Sequence, residues 1–84
     1  GAPDLVIEIL SPSSVRNDRL TKFNLYQRAG VREYWIVNPS EKSVQVFILE
    51  GGHYTATALG SESDVLKVNV LDGCYIDLSR VFNE

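Results

Sequence analysis

The chain is 84 residues long, with 44% hydrophobic residues, 23% charged residues and a net charge of −3. That length allows one small domain, which buries roughly 60–65% of the surface its unfolded chain exposes, and the composition excludes a disordered tail. No apolar run approaches the ~18 residues of a membrane span, and a single cysteine, Cys74, excludes an internal disulfide framework or a cysteine-rich zinc site. The opening Gly1-Ala2-Pro3-Asp4 lacks the basic flank of a signal peptide. A reducing, cytoplasmic setting is expected. The acidic balance gives no bulk attraction to nucleic acid, so a nucleic-acid function needs a local basic patch or a metal.

Leu5 to Leu10 is a short run rich in β-branched residues, bounded by Pro3 and by Ser11-Pro12. It reads as a strand buried on both faces, interrupted by Glu8. Ser13 or Ser14 can cap a helix that runs to about Ala29, with Gly30 as its stop. At ~100° per residue, one arc of that helix carries Leu25, Asp18, Ala29, Lys22, Val15 and Tyr26, with Phe23 further round. The opposite arc carries Arg16, Gln27, Asn24, Asn17, Arg28 and Thr21, with Leu20 as a misfit. The first arc is expected to face the sheet.

Glu33 to Val37 reads as a second strand and Asn38 to Glu41 as a turn. Ser43 to Leu49 alternates as a third strand, and Glu50-Gly51-Gly52-His53 closes a hairpin onto Tyr54 to Ala58. Gly60 to Asp64 is a polar loop, Val65 to Val70 an edge strand and Leu71 to Cys74 a turn. Asp77 or Ser79 starts a short helix through Phe82. The helix after the first strand can act as a crossover, so the first two strands are expected to run parallel. The fold class is mixed, α/β or α+β, with one main helix and a short C-terminal helix.

Glu8 is the residue where chemistry is most expected. A carboxylate inside an apolar strand needs a cation, hydrogen bonds or a shifted pKa, and such groups are enriched at sites. The plain alternative is a structural ion pair. Lys22 lies on the sheet-facing arc and can meet Glu8, with Asp18 one turn earlier to hold it. On the solvent face, an Asp18–Lys22 pair would be worth only a few tenths of a kcal/mol. Asp4 shares a face with Glu8, but at ~3.3 Å per residue the two lie about 13 Å apart, too far to hold one metal directly. His53 beside a Gly-Gly turn reads as a surface residue, and Cys74 as a structural one. The sequence has no phosphate-binding glycine loop, no HExxH pair and no nucleophile elbow.

Two stretches carry a resemblance. Gly1-Ala2-Pro3-Asp4-Leu5-Val6-Ile7-Glu8-Ile9-Leu10-Ser11-Pro12-Ser13-Ser14 resembles a signature of the Uma-two family of restriction-endonuclease-like proteins, within the PD-(D/E)XK nuclease superfamily. Asp18, Lys22, Tyr26, Ala29-Gly30-Val31, Glu33 to Val37 and Pro39 follow in the family's order. The resemblance implies a sheet-centred nuclease core that uses Mg²⁺, with Mn²⁺ as a substitute, on DNA. It implies a metal-binding role for Glu8, with Asp4 as a further metal candidate, and a catalytic set of Glu8, Lys22 and Asp18. Leu10 stands where the superfamily places its lysine, and Lys22 takes over that role from the helix, with Asp18 orienting it. Tyr26 packs beside them.

The superfamily's other acid lies on an earlier strand, so the chain looks like the C-terminal half of a family domain. The resemblance thus implies a DNA endonuclease that is incomplete in this chain, and weak or inactive. The alternative is a non-catalytic module that self-associates as a homodimer through an unpaired strand. No membrane partner is expected.

Overall fold

The computed structural model describes residues 1–14 and 16–82. Its elements are the strand β1 (Leu5–Ile9), the helix α1 (Arg16–Ala29), and the strands β2 (Glu33–Asn38), β3 (Ser43–Glu50) and β4 (His53–Ser61). Two short strands, β5 (Val65–Lys67) and β6 (Tyr75–Asp77), and a final helix, α2 (Leu78–Phe82), follow. The class is α+β, with one main helix and a short terminal one. Strands β1 to β4 form one sheet in chain order. β1 and β2 run parallel, joined by α1 as a parallel pair requires, and the remaining neighbours are antiparallel.

Two expectations about extent change. β4 reaches Ser61, beyond the expected Ala58, because it pairs with β3 along its whole length past a register shift at Val46/Phe47. The expected strand from Val65 to Val70 stops at Lys67. It is no edge of the main sheet: it pairs with β6 in a separate two-stranded sheet that folds back over the core. Asp77 caps α2, its Oδ1 accepting from the Ser79 amide at 3.0 Å and the Ser79 hydroxyl at 2.6 Å.

The main sheet is covered unequally on its two faces. On one, Trp35, Val37, Val44 and Val46 pack under Val68 and Leu78, with Leu66, Ile76 and Phe82 closing the rim. Gly60 makes this layer possible: a Cβ there would sit 2.7 Å from Leu78 Cδ1 and 2.9 Å from Leu66 Cδ1. The same face holds Glu33, which is fully buried. Trp35 Nε1 donates to Glu33 Oε2 at 2.7 Å and Asn69 Nδ2 at 3.1 Å, while the Val70 amide donates to Oε1 at 3.0 Å. The carboxylate thus ties β2 to the chain between β5 and β6.

On the other face, Phe23 and Tyr26 of α1 meet Tyr34, Phe47 and Tyr54. Phe23 stands edge-on to Phe47, with ring centroids 5.1 Å apart at 84°, and Tyr26 lies 5.2 Å from Tyr34. Gln27 Oε1 accepts from the Tyr54 amide at 2.8 Å, and the Tyr54 hydroxyl donates to the Val31 carbonyl at 2.8 Å. The sheet-facing side of the helix is therefore Arg19, Phe23, Tyr26 and Gln27, all partly buried. The expected arc is rotated from this: Leu25 is 51% exposed, Asp18 and Ala29 are exposed, and Gln27 points inward. Few residues of α1 are apolar, so aromatic contacts rather than an aliphatic stripe set its orientation. Val15, placed on that arc by the sequence, lies outside the described residues.

β1 also departs from expectation. It is an edge strand, and its face away from α1 is covered only at Leu5, which packs on the core: Ile7 and Ile9 point to the same face and are 42% and 66% exposed. The β5–β6–α2 layer packs over β2 to β4 and leaves that corner open.

Two substitutions test the layers. Glu33→Ala leaves three donors without their acceptor and is expected to cost about 3 kcal/mol or more in urea unfolding; a loss below about 1 kcal/mol would mean that the network carries little. Tyr34 has a buried hydroxyl without a partner among the described residues, and burial pushes its pKa up to about 12. Tyr34→Phe is therefore expected to keep or slightly raise stability. The fold favours the protonated phenol, so this residue's contribution holds below about pH 10 and is lost as pH rises toward 12. Urea midpoints measured across that range should fall less steeply in Tyr34→Phe than in wild type.

Candidate active site

Glu8 and Lys22 meet across the β1–α1 contact. Lys22 Nζ donates to Glu8 Oε1 at 2.6 Å, with side-chain exposures of 46% and 24%. Alternation along β1 turns Glu8 to the helix face, together with Val6, and the crossover lays α1 across that face. The hydrogen bond from Lys22 to Glu8 and the nearby negative charge hold the Lys22 ammonium above the ordinary lysine range. Lys22 is therefore a fixed positive charge at neutral pH rather than a proton acceptor. The stability that the pair supplies is present below the ordinary lysine pKa and is lost as pH rises through the folded value.

The other sequence candidates stand apart. Asp18 is exposed and makes no ion pair with Lys22 among the described residues; its charge adds only the smallest contribution to the Lys22 shift. Asp4 pairs with Arg32 at 3.4 Å on the surface, and its carbonyl accepts from the Glu33 amide. Among the described residues no group of three potential metal ligands comes together. His53 is exposed and Cys74 borders the core. Tyr26 packs on Tyr34 beside the pair, and the Tyr34 phenol feels the Glu8 charge.

Strand register adds residues that the sequence did not single out. Glu8 pairs with Ile36, Ile36 with Gln45 and Gln45 with Leu59, so these four form one row across the helix face of the sheet. α1 packs on Tyr34 and Phe47 of the neighbouring row, whereas Gln45 and Leu59 of this one are exposed. A groove of about 320 Å³ runs along it, lined by Ile36, Gln45, Leu59, Leu10, Asn38 and Arg19 among others. A second hollow of about 390 Å³ adjoins it, again lined by Leu10, Arg19 and Asn38 and reaching Ser11 to Ser14. Leu10 thus forms part of the wall of both. Pairing the predicted strands through the turn at Asn38 to Glu41 would have placed Gln45 in the row; Arg19 gave no separate signal.

Residues 1–79 match the family model Uma2, described as a putative restriction endonuclease. Among solved structures, the crystal structure of a putative nuclease belonging to DUF820 from Anabaena variabilis ATCC 29413 is similar, with a TM-score of 0.74 and 21% identity over 96% of this chain. The match covers 44% of that nuclease chain, so the present chain spans less than half its length. No curated protein matches. The fold is thus shared with that putative nuclease, and the family match over nearly the whole chain makes this protein a member of the Uma2 family of putative restriction endonucleases.

Proposed function

We propose that the chain supplies the Glu8–Lys22 part of a Mg²⁺-dependent DNA endonuclease site. The observation that carries this reading is the 2.6 Å contact between a strand carboxylate and a helix lysine, one strand away from Ile36 on the wall of an open groove. Glu8 Oε2 makes no hydrogen bond among the described residues, so one oxygen is available to a cation. Mg²⁺ is commonly held by one or two carboxylates, substrate phosphate and several waters, which suits a single acid of this kind. A bound Mg²⁺ supplies polarisation of the scissile phosphate and a lowered pKa for the attacking water.

Lys22, held protonated, orients that water and offsets charge on the phosphate. Hydrolysis joins the water oxygen to phosphorus and breaks one phosphorus–oxygen ester bond. The water gives up a proton to solvent, and the departing oxygen takes one up. Asp18 adds long-range charge to Lys22 at most, and Asp4, about 13 Å from Glu8 along β1 and engaged by Arg32, is out of reach of the same metal.

One carboxylate positions a metal loosely, and misplacement by ~1 Å can cost on the order of a hundredfold in rate. The chain alone is therefore weak or inactive, and a second acid comes from further sequence of the same protein or from a second copy. The exposed Ile7 and Ile9 on the open corner of β1 favour a second reading beside this one, a module that self-associates through that edge. Sedimentation should then give a dimer at high micromolar concentration; a monomer there removes this second reading.

The nuclease reading is tested by Mn²⁺ titration and by plasmid cleavage with Mg²⁺ or Mn²⁺. Paramagnetic broadening is expected around Glu8 and should disappear in Glu8→Gln. Cleavage by the chain is expected near background, and any metal-dependent cutting should fall at least tenfold in Lys22→Ala. A Mn²⁺ response that bypasses Glu8 would defeat the site assignment.

A further inference from the structure

We infer that the groove beside Glu8 and Lys22 seats the nucleotide flanking the scissile phosphate, with Arg19 pairing to that nucleotide's own phosphate. This rests on the nuclease reading above and adds a substrate-positioning residue to it.

Four observations converge on Arg19. It lies three residues before Lys22 on α1, which puts their Cβ atoms about 5–6 Å apart on one side of the helix. It lines both hollows, so it stands where they join. It is partly buried yet forms no ion pair among the described residues, whereas Lys22, Arg32 and Lys42 each hold a carboxylate. A planar guanidinium drawn partly out of water gains most from an anion with two oxygens that it can grip with two parallel N–H bonds, and a phosphate offers such a pair.

The groove itself suits the rest of a nucleotide. Ile36 and Leu10 are partly buried, and Leu59, at the far end of the Glu8 row, is 73% exposed, so the groove has apolar surface for a sugar or base. Gln45, the next residue in the row, is exposed and presents an amide that both donates and accepts. Glu41 also lines both hollows, and Asn38 Nδ2 donates to its Oε1 at 2.8 Å. That carboxylate repels a phosphate from the turn end of the groove and favours the helix side, between Arg19 and Lys22. The overall charge of −3 gives no general attraction, so a phosphate held here is held by these side chains.

The test uses the chain as it is, with thymidine 5′-monophosphate as the probe in heteronuclear NMR. Saturable shifts are expected at the Arg19 side-chain N–H and the Gln45 side-chain amide, with much smaller ones from thymidine lacking the phosphate. Arg19→Ala should weaken the nucleotide at least tenfold, and Arg19→Lys should restore part of that loss. Shifts that map elsewhere, an unchanged affinity in Arg19→Ala, or equal binding of inorganic phosphate and the nucleotide would overturn the inference. The Mn²⁺ response at Glu8, followed in the same samples, separates the two readings. Mn²⁺ bound at Glu8 with no nucleotide in the groove defeats the inference alone. A nucleotide held by Arg19 with no Mn²⁺ at Glu8 supports the groove and defeats the metal-site reading.

Discussion

A carboxylate with no exposure to solvent is the constraint around which this small domain is arranged. Glu33 opens β2, and β2 is bonded to β1 on one side and β3 on the other. Removing such a group from water is costly, and the cost is offset only because three donors converge on it. One of these is the indole N–H of Trp35, the largest fully buried side chain, so the same bond that satisfies the acid also fixes the centre of the core. The other two come from Asn69 and Val70, between two strands that make no ladder with the main sheet. Apolar packing alone would hold that second layer without fixing its position; the two directional bonds from Asn69 and Val70 define where it sits.

The helix side follows a different logic. α1 has no fully buried residue, and it is docked by rings and by Gln27. Because it spans only part of the sheet face, one row of the face is sheltered and the next is open. Glu8 stands at the end of the open row, where Lys22 can reach it from the edge of the helix. The short reach of α1 thus makes the groove and the ion pair parts of one feature.

Much of this was legible in the sequence. The parallel start followed from a strand, a helix of crossover length and a second strand, and the approach of Lys22 to Glu8 followed from period-two and helical geometry. Residues between Gly1 and Pro39 also carried the family resemblance, and the family match covers them. Glu33 was not singled out, because an acid at the start of an apolar strand looks like a boundary residue. Its spacing of two from Trp35 was the available clue, since that spacing puts both on one face. The inward face of α1 was misplaced because periodicity weighs Leu25 as apolar and Gln27 as polar, whereas Leu25 is left in solvent and Gln27 satisfies a strand amide. The separate β5–β6 sheet was hidden because three-residue strands have too little alternation to reveal their partner.

The position of β1 at the sheet margin has a consequence for how Glu8 is held in time. An interior strand is anchored by ladders on both flanks, but β1 has one, to β2 alone. Marginal strands open at a lower free energy than central ones, and their amides exchange with solvent sooner. The carboxylate of the ion pair is therefore mounted on one of the two edge strands of the sheet, while the residues that form the groove floor, Ile36 and Gln45, sit on strands flanked on both sides. Any strand bonded along the free side of β1 would damp that opening without touching Glu8 or Lys22. Order at the acid and occupancy of the sheet margin are linked quantities, and the linkage passes through backbone hydrogen bonds rather than through side chains.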